Sequence, residues 1–152
     1  GNKIKLDRAI YYWVAQFIGG IIAAFVLDFL AADIIGANFN NGQTTGSLTN
    51  GSLLRAAIFE GIMTFFLVST VIQAAVYGKA GNLAGVAIGF TLLGSILLGG
   101  TFTGASLNPA RTLGPALAAN DFSYLIPYLI GIFGGGAVAG LVQTQLFPQE
   151  GE

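Results

Sequence analysis

The sequence predicts an all-α membrane protein with four spanning helices and one re-entrant half-helix. Three observations predict it. Of the 152 residues 54% are hydrophobic and 9% charged, where soluble domains carry about a quarter charged residues. The apolar residues fall into four long runs. A further stretch, 101–123, is too apolar for a loop, yet its core at 107–119 is too short to cross a bilayer, which takes about 20 helical residues. Mean hydropathy of +0.74 and 23 glycines agree with helices packed closely in lipid.

The elements follow in order within one domain, 1–152. The first span, 9–30, has Asp28 as its only charge. The second, 53–77, carries Arg55 near its start and Glu60 deeper in. The third, 83–100, is interrupted by Gly85, Gly89 and Gly94, and the fourth, 124–147, holds no charge. Between the first two spans, 31–52 is rich in Asn, Gly, Thr and Ser and reads as an exposed loop. Within it Asn50-Gly51-Ser52 fits a glycosylation sequon and reads more simply as a turn. Gly85 and Gly89, Gly131 and Gly135, and Gly136 and Gly140 are each four apart and predict close helix contacts. Lys3, Lys5 and Arg8 precede the first span and Lys79 lies between the second and third. The positive-inside rule puts both places on the cytoplasmic side. The loops 31–52 and 101–123 then face outward.

Composition also excludes. A net charge of −1 gives no electrostatic footprint for nucleic acid. Without Cys or His, disulfides, thiol catalysis and most zinc sites are unavailable, so no metal and no cofactor are expected. No activated base or nucleophile stands in the spans, so the chain reads as no enzyme.

The most informative stretch is 103–116. Non-helical backbone at membrane depth is tolerated only against protein or a watery cavity, so a re-entrant segment points to a pore or transport site. Asn108 followed by Pro109 is a helix start, since Asn caps free N–H groups and Pro suits the first helical position. The half-helix, about 108–118, would place its positive dipole end inside the membrane. That end repels cations, while the Asn108 amide can donate hydrogen bonds to a neutral molecule. Arg111 stands three residues on, about 4.5 Å along the axis. A full positive charge is costly at such depth unless it faces water or a partner, so Arg111 is a functional candidate by default.

Gly104-Ala105-Ser106-Leu107-Asn108-Pro109-Ala110-Arg111 resembles the second Asn-Pro-Ala signature of the aquaporin and glycerol-facilitator family. Arg8-Ala9-Ile10-Tyr11-Tyr12-Trp13-Val14-Ala15-Gln16 resembles the family's third helix, Phe59-Glu60-Gly61-Ile62-Met63-Thr64-Phe65 its fourth, and Gly85-Val86-Ala87-Ile88-Gly89-Phe90 its fifth. The resemblance implies an aquaporin-like bundle that lacks the first two spans and the first half-helix, and so a partial sequence. It implies that Asn108 orients water and that Arg111, Ile96 and Ala105 form the outer filter. It gives the carbonyls of Gly104, Ala105, Ser106 and Leu107 the single file, and makes Asn108, Pro109 and Ala110 the signature. Glu60 would brace the re-entrant loop; an interfacial carboxyl, or a pair with Arg55, is the other reading, and its depth favours the brace. Gln16 resembles a second bracing residue, or simply bonds between helices.

On selectivity, Thr112 stands where glycerol facilitators usually have Asp, and Ala116 and Tyr128 look aquaporin-like, whereas Leu129 looks like the glycerol type. Ile96 resembles the wider-filter members. The expectation is a passive water channel in the lipid bilayer, also open to small neutral solutes, assembled as a homotetramer in the cell membrane (plasma or inner). A glycerol facilitator is the same-fold alternative. A secondary-transporter fragment and a non-conducting interaction fragment come from other classes.

Overall fold

The computed structural model describes residues 4–35 and 40–147. Lys3, the loop residues 36–39 and the acidic tail 149–152 lie outside the described residues. The chain folds as α1 (Leu6–Ile35), the short α2 (Ser47–Gly51), α3 (Leu53–Val71), α4 (Ala84–Thr103), α5 (Pro109–Ala119) and α6 (Leu125–Leu146). α3 runs on into a π-helical turn, Ile72–Val76, and a 3₁₀ turn, Gly81–Leu83, leads into α4. Among the described residues four helices, α1, α3, α4 and α6, are long and apolar enough to cross a membrane. α5, with 11 residues, is not.

Each boundary has a local cause. The Ser52 hydroxyl, at the end of the sequon, caps α3 by accepting from the Arg55 N–H at 3.4 Å. Gly104, at φ +76°, ends α4 in the left-handed region, where a glycine costs least. Asn108 caps α5 and Pro109 opens it; Asn120, at φ +51°, ends it. The glycines of the third span do not interrupt it, because lipid offers their backbone no competing partner; α4 is one helix as far as Thr103.

Packing is concentrated in two helix crossings. Where α6 lies on α3, a Cβ at Gly131 would strike the Ala57 carbonyl and one at Gly135 the Gly61 carbonyl. This is the backbone-to-backbone approach that a four-residue glycine spacing predicts. The other two pairs behave differently. Gly136 makes ordinary contact with Val68 and Thr64, while Gly85, Gly89 and Gly140 face open space. The second crossing, α1 on α5, rests on a pair that spacing within one helix could not reveal. A Cβ at Gly20 would meet the Ala110 carbonyl at 2.7 Å, and one at Gly114 the Gly20 carbonyl. Between the crossings Ala56, Ala116, Tyr124, Tyr128 and Ile132 form one apolar core. Met63, Ala105 and Leu107 form a second, beneath Phe59 and Leu67.

The stretch 31–52 departs from the exposed loop expected of it. α1 continues to Ile35, and Thr44 is fully buried at 0% exposure. Asn41 (φ +54°) and Gly42 (φ +70°) form a tight turn closed by the Gln43 N–H donating to the Asn40 carbonyl at 2.9 Å. Two successive positive φ angles make it a type I′ turn, the one that Asn-Gly favours. The turn folds back over α4 and α5. A Cβ at Gly46 would meet the Thr101 carbonyl at 2.6 Å, and one at Gly104 the Thr44 Cα at 2.7 Å. Buried backbone must find partners, and this loop finds them in the protein.

Candidate functional site: the re-entrant loop and half-helix

The site begins where α4 stops. After Gly104, Ala105 and Leu107 both hold positive φ, at +44° and +52°. For residues with a Cβ such conformations cost on the order of 1 kcal/mol each and persist only where the surroundings over-determine them. Glu60, fully buried on α3, supplies that constraint. Its Oε1 accepts from the Ser106 N–H at 2.9 Å and the Thr103 hydroxyl at 2.7 Å, and its Oε2 accepts from the Leu107 N–H at 2.8 Å. The Thr103 hydroxyl in turn accepts from the Ala105 N–H at 3.2 Å. Tyr128 closes the ring from α6, donating to the Thr103 carbonyl at 2.8 Å and meeting the Thr49 hydroxyl at 2.5 Å.

The half-helix start is fixed from within. The Asn108 Oδ1 accepts from the Ala110 N–H at 2.9 Å. This commits the amide oxygen to the cap and leaves the two Nδ2 hydrogens free to donate. The hydroxyls of Ser106 and Thr112 meet at 2.5 Å and both reach the Asn108 carbonyl, at 3.0 and 3.2 Å. One turn on, the Arg111 Nη1 donates to the Gly42 carbonyl at 2.7 Å. The turn at 40–43 therefore holds the guanidinium.

Leu67, Leu92, Ile96, Ala105, Ser106, Leu107, Asn108 and Arg111 line one groove of about 270 Å³. The structure thus brings together Ile96, Ala105, Ser106, Leu107, Asn108 and Arg111 on α4, the loop and α5. Pro109 and Ala110 sit behind the groove in the first turn of α5, with Ala110 buried. Gly104 packs its backbone on Thr44. Gln16 is exposed on α1 and is not among the residues holding the loop. Sequence reasoning missed four participants: Leu67, Leu92, Thr49 and the Gly42 carbonyl. Leu92 could have been found at one turn before Ile96, and the turn at Gly42 from its Asn-Gly pair. Thr49 carried no local signal.

The groove carries an amide and a guanidinium at the N-terminal end of a short helix, with Ser106 beside them and an otherwise apolar lining. It can donate hydrogen bonds to a small molecule. Among the described residues no group of three metal-ligating side chains occurs. Among the described residues, four apolar helices long enough to span and one short half-helix define an integral, multi-pass membrane protein.

Comparison narrows this to a family. The family model described as Major intrinsic protein matches residues 1–143, and the chain belongs to that family. It is 41% identical over 152 residues to a Zea mays protein named Aquaporin TIP1-1, which covers 97% of this chain and 57% of the relative. Aquaporin TIP2-1 of Zea mays is 37% identical over 150 residues, with 97% and 57% covered. Nodulin-26 of Glycine max is 41% identical over 147 residues, with 93% and 52% covered. The chain thus spans a little over half the length of the curated relatives it matches.

Proposed function

We propose that the chain forms the second half of the wall of a passive water channel. The observation that carries the reading is the groove at the start of α5. Free Nδ2 hydrogens of Asn108 and the Arg111 guanidinium line it together with Leu67, Leu92, Ile96, Ala105, Ser106 and Leu107. An apolar wall offers a solute nothing, so a passing molecule must exchange its hydrogen bonds with the few donors present, which favours water and small neutral solutes. The positive end of α5 and the arginine repel cations. In this reading the carbonyls of Gly104 to Leu107 line the file, Ile96 and Ala105 narrow it beside Arg111, and Glu60 sets the loop. The names of the relatives support it.

The groove is open along one side, so a closed pore needs a further wall. The additional length of the relatives is enough to supply one. A homotetramer is part of the proposal, as is the cell membrane as its location. Crosslinking in the membrane and membrane fractionation test these two.

Stopped-flow light scattering on proteoliposomes tests the function, using the complete gene product that carries this chain. Vesicles should shrink several-fold faster than empty ones, and Asn108→Leu should return them toward the lipid rate. Shrinkage at the lipid rate in the wild type overturns the channel reading. Glycerol recovery as fast as water would transfer it to a glycerol facilitator, and a saturable, protonophore-sensitive flux to a transporter.

A further inference from the structure

Three consecutive residues of the outer turn grip three different elements. The Asn41 Nδ2 donates to Asp28 Oδ1 on α1 at 2.6 Å. The Gly42 carbonyl accepts from Arg111 on α5 at 2.7 Å. The Gln43 Nε2 donates to Asp121 Oδ2, beyond the end of α5, at 3.1 Å. The backbone between them is pinned by the turn's own hydrogen bond and by the close approach of Gly46 to Thr101 and Phe102. Only the middle contact reaches the groove; the outer two hold the turn on either side of it.

We propose that Asp28 and Asp121 are positioning residues for solute selection. By anchoring Asn41 and Gln43 they fix the Gly42 carbonyl, and through it the distance the Arg111 side chain can reach across the groove. The physical argument is one of freedom. Arg111 is exposed toward the groove, and an arginine has several rotatable bonds and five donors. With one donor on a fixed carbonyl, it presents a narrow, repeatable opening. With the turn released, the guanidinium swings and the opening widens. Asp28 is half-buried near the outer end of a span. A lone carboxyl there is costly unless it has a partner, and the partner it has is this turn.

The inference rests on the channel reading, and its test separates the two. In the complete gene product, Asp28→Ala with Gln43→Ala removes both outer grips without touching a groove residue. Water permeability should stay within about twofold of wild type, and the ratio of urea or glycerol permeability to water should rise about three- to tenfold, the order expected for losing one ordinary net hydrogen bond. Each single variant should give part of the rise. Asp28→Asn, which keeps an oxygen for Asn41, should restore the ratio. A merely structural role would lower all permeabilities together and leave the ratio alone. In each variant, hydrogen exchange of the peptide over 40–46 should quicken in step with the ratio. A conducting wild type whose ratio is unchanged in the double variant overturns the clamp and leaves the channel standing. A ratio that Asp28→Asn does not restore also overturns the clamp. A wild type no faster than empty vesicles overturns both.

Discussion

α1 and α5 touch along one crossing and are held in place by opposite means. α1 has 30 residues, and only 6% of its most apolar window is buried inside the chain. Its side chains face outward along most of its length, Tyr11 and Phe29 at 74% and 85% exposure. α5 has 11 residues, and Ala110, Thr112, Gly114, Pro115 and Ala116 are buried. It cannot span, and the loop before it carries two strained backbone conformations. An uninterrupted apolar helix such as α1 satisfies its own backbone in lipid, and within this chain it takes little from its neighbours. Protein selects α5, through polar groups placed on three other helices. The difference teaches where a single change should matter: little along the faces of α1, much among the partners of α5.

The largest effect should come from Glu60. Glu60→Ala leaves the Ser106 and Leu107 N–H groups buried and unpartnered, and frees Thr103. Loss of the equivalent of a buried charged acceptor costs on the order of 3 kcal/mol or more. Thermal unfolding in detergent should show it, with faster hydrogen exchange at Ser106 and Leu107. Glu60→Gln should fall between, since one oxygen still accepts. Stability unchanged within about 0.5 kcal/mol would mean that apolarity alone also holds α5, and the contrast would fail.

A smaller effect should mark the crossing itself. Gly114→Ala drives a methyl into the Gly20 carbonyl, and overpacking of this kind costs about 1–3 kcal/mol. Gly89→Ala, on the open face of α4, should change the stability of the isolated chain by less than about 0.5 kcal/mol. The pair is best measured side by side in one detergent. Equal losses would show that the α1–α5 approach is not what Gly114 provides.

The same contrast decides what the sequence discloses. The spanning helices were legible because lipid imposes one rule, apolarity over a fixed length, and 9–30 or 124–147 satisfy it residue by residue. Asn108-Pro109 was legible because capping is local, and Glu60 because an acid seven residues into a span demands a donor. The last turn of α1 was not, since Asp33 and the Asn-rich residues after it carry the polarity of a loop. Nor was the burial of Thr44 or the meeting of Gly20 with Gly114. These depend on which elements come together, and nothing within ten residues of either position records that. The glycine spacing shows the limit: the same four-residue interval packs at Gly131 and Gly135 and faces open space at Gly85 and Gly89.

The smallest effect concerns the outer end of α5, where protein and solvent share the work. The Asp121 carboxyl is held below the ordinary aspartate value, first by the Ser123 backbone N–H, then by the Ser123 hydroxyl and the Gln43 amide, against a slight opposing push from burial. A carboxyl whose folded value lies below the unfolded one stabilises fully above the unfolded value, about 3.9, and loses that contribution as pH falls through the folded value. The contact between Gln43 and Asp121 should therefore persist at pH 5 and weaken only in stronger acid. Carbon NMR of the Asp121 carboxyl should give a titration midpoint below that of an unfolded peptide. Gln43→Ala should raise the midpoint only slightly, because the Ser123 donors remain. A midpoint at or above the ordinary value would mean that these donors do not hold the carboxyl in the membrane protein. The outer end of α5 would then rest on its backbone cap, where the Asp121 N–H donates to the Ala116 carbonyl at 3.0 Å, and on Ala116 in the apolar core.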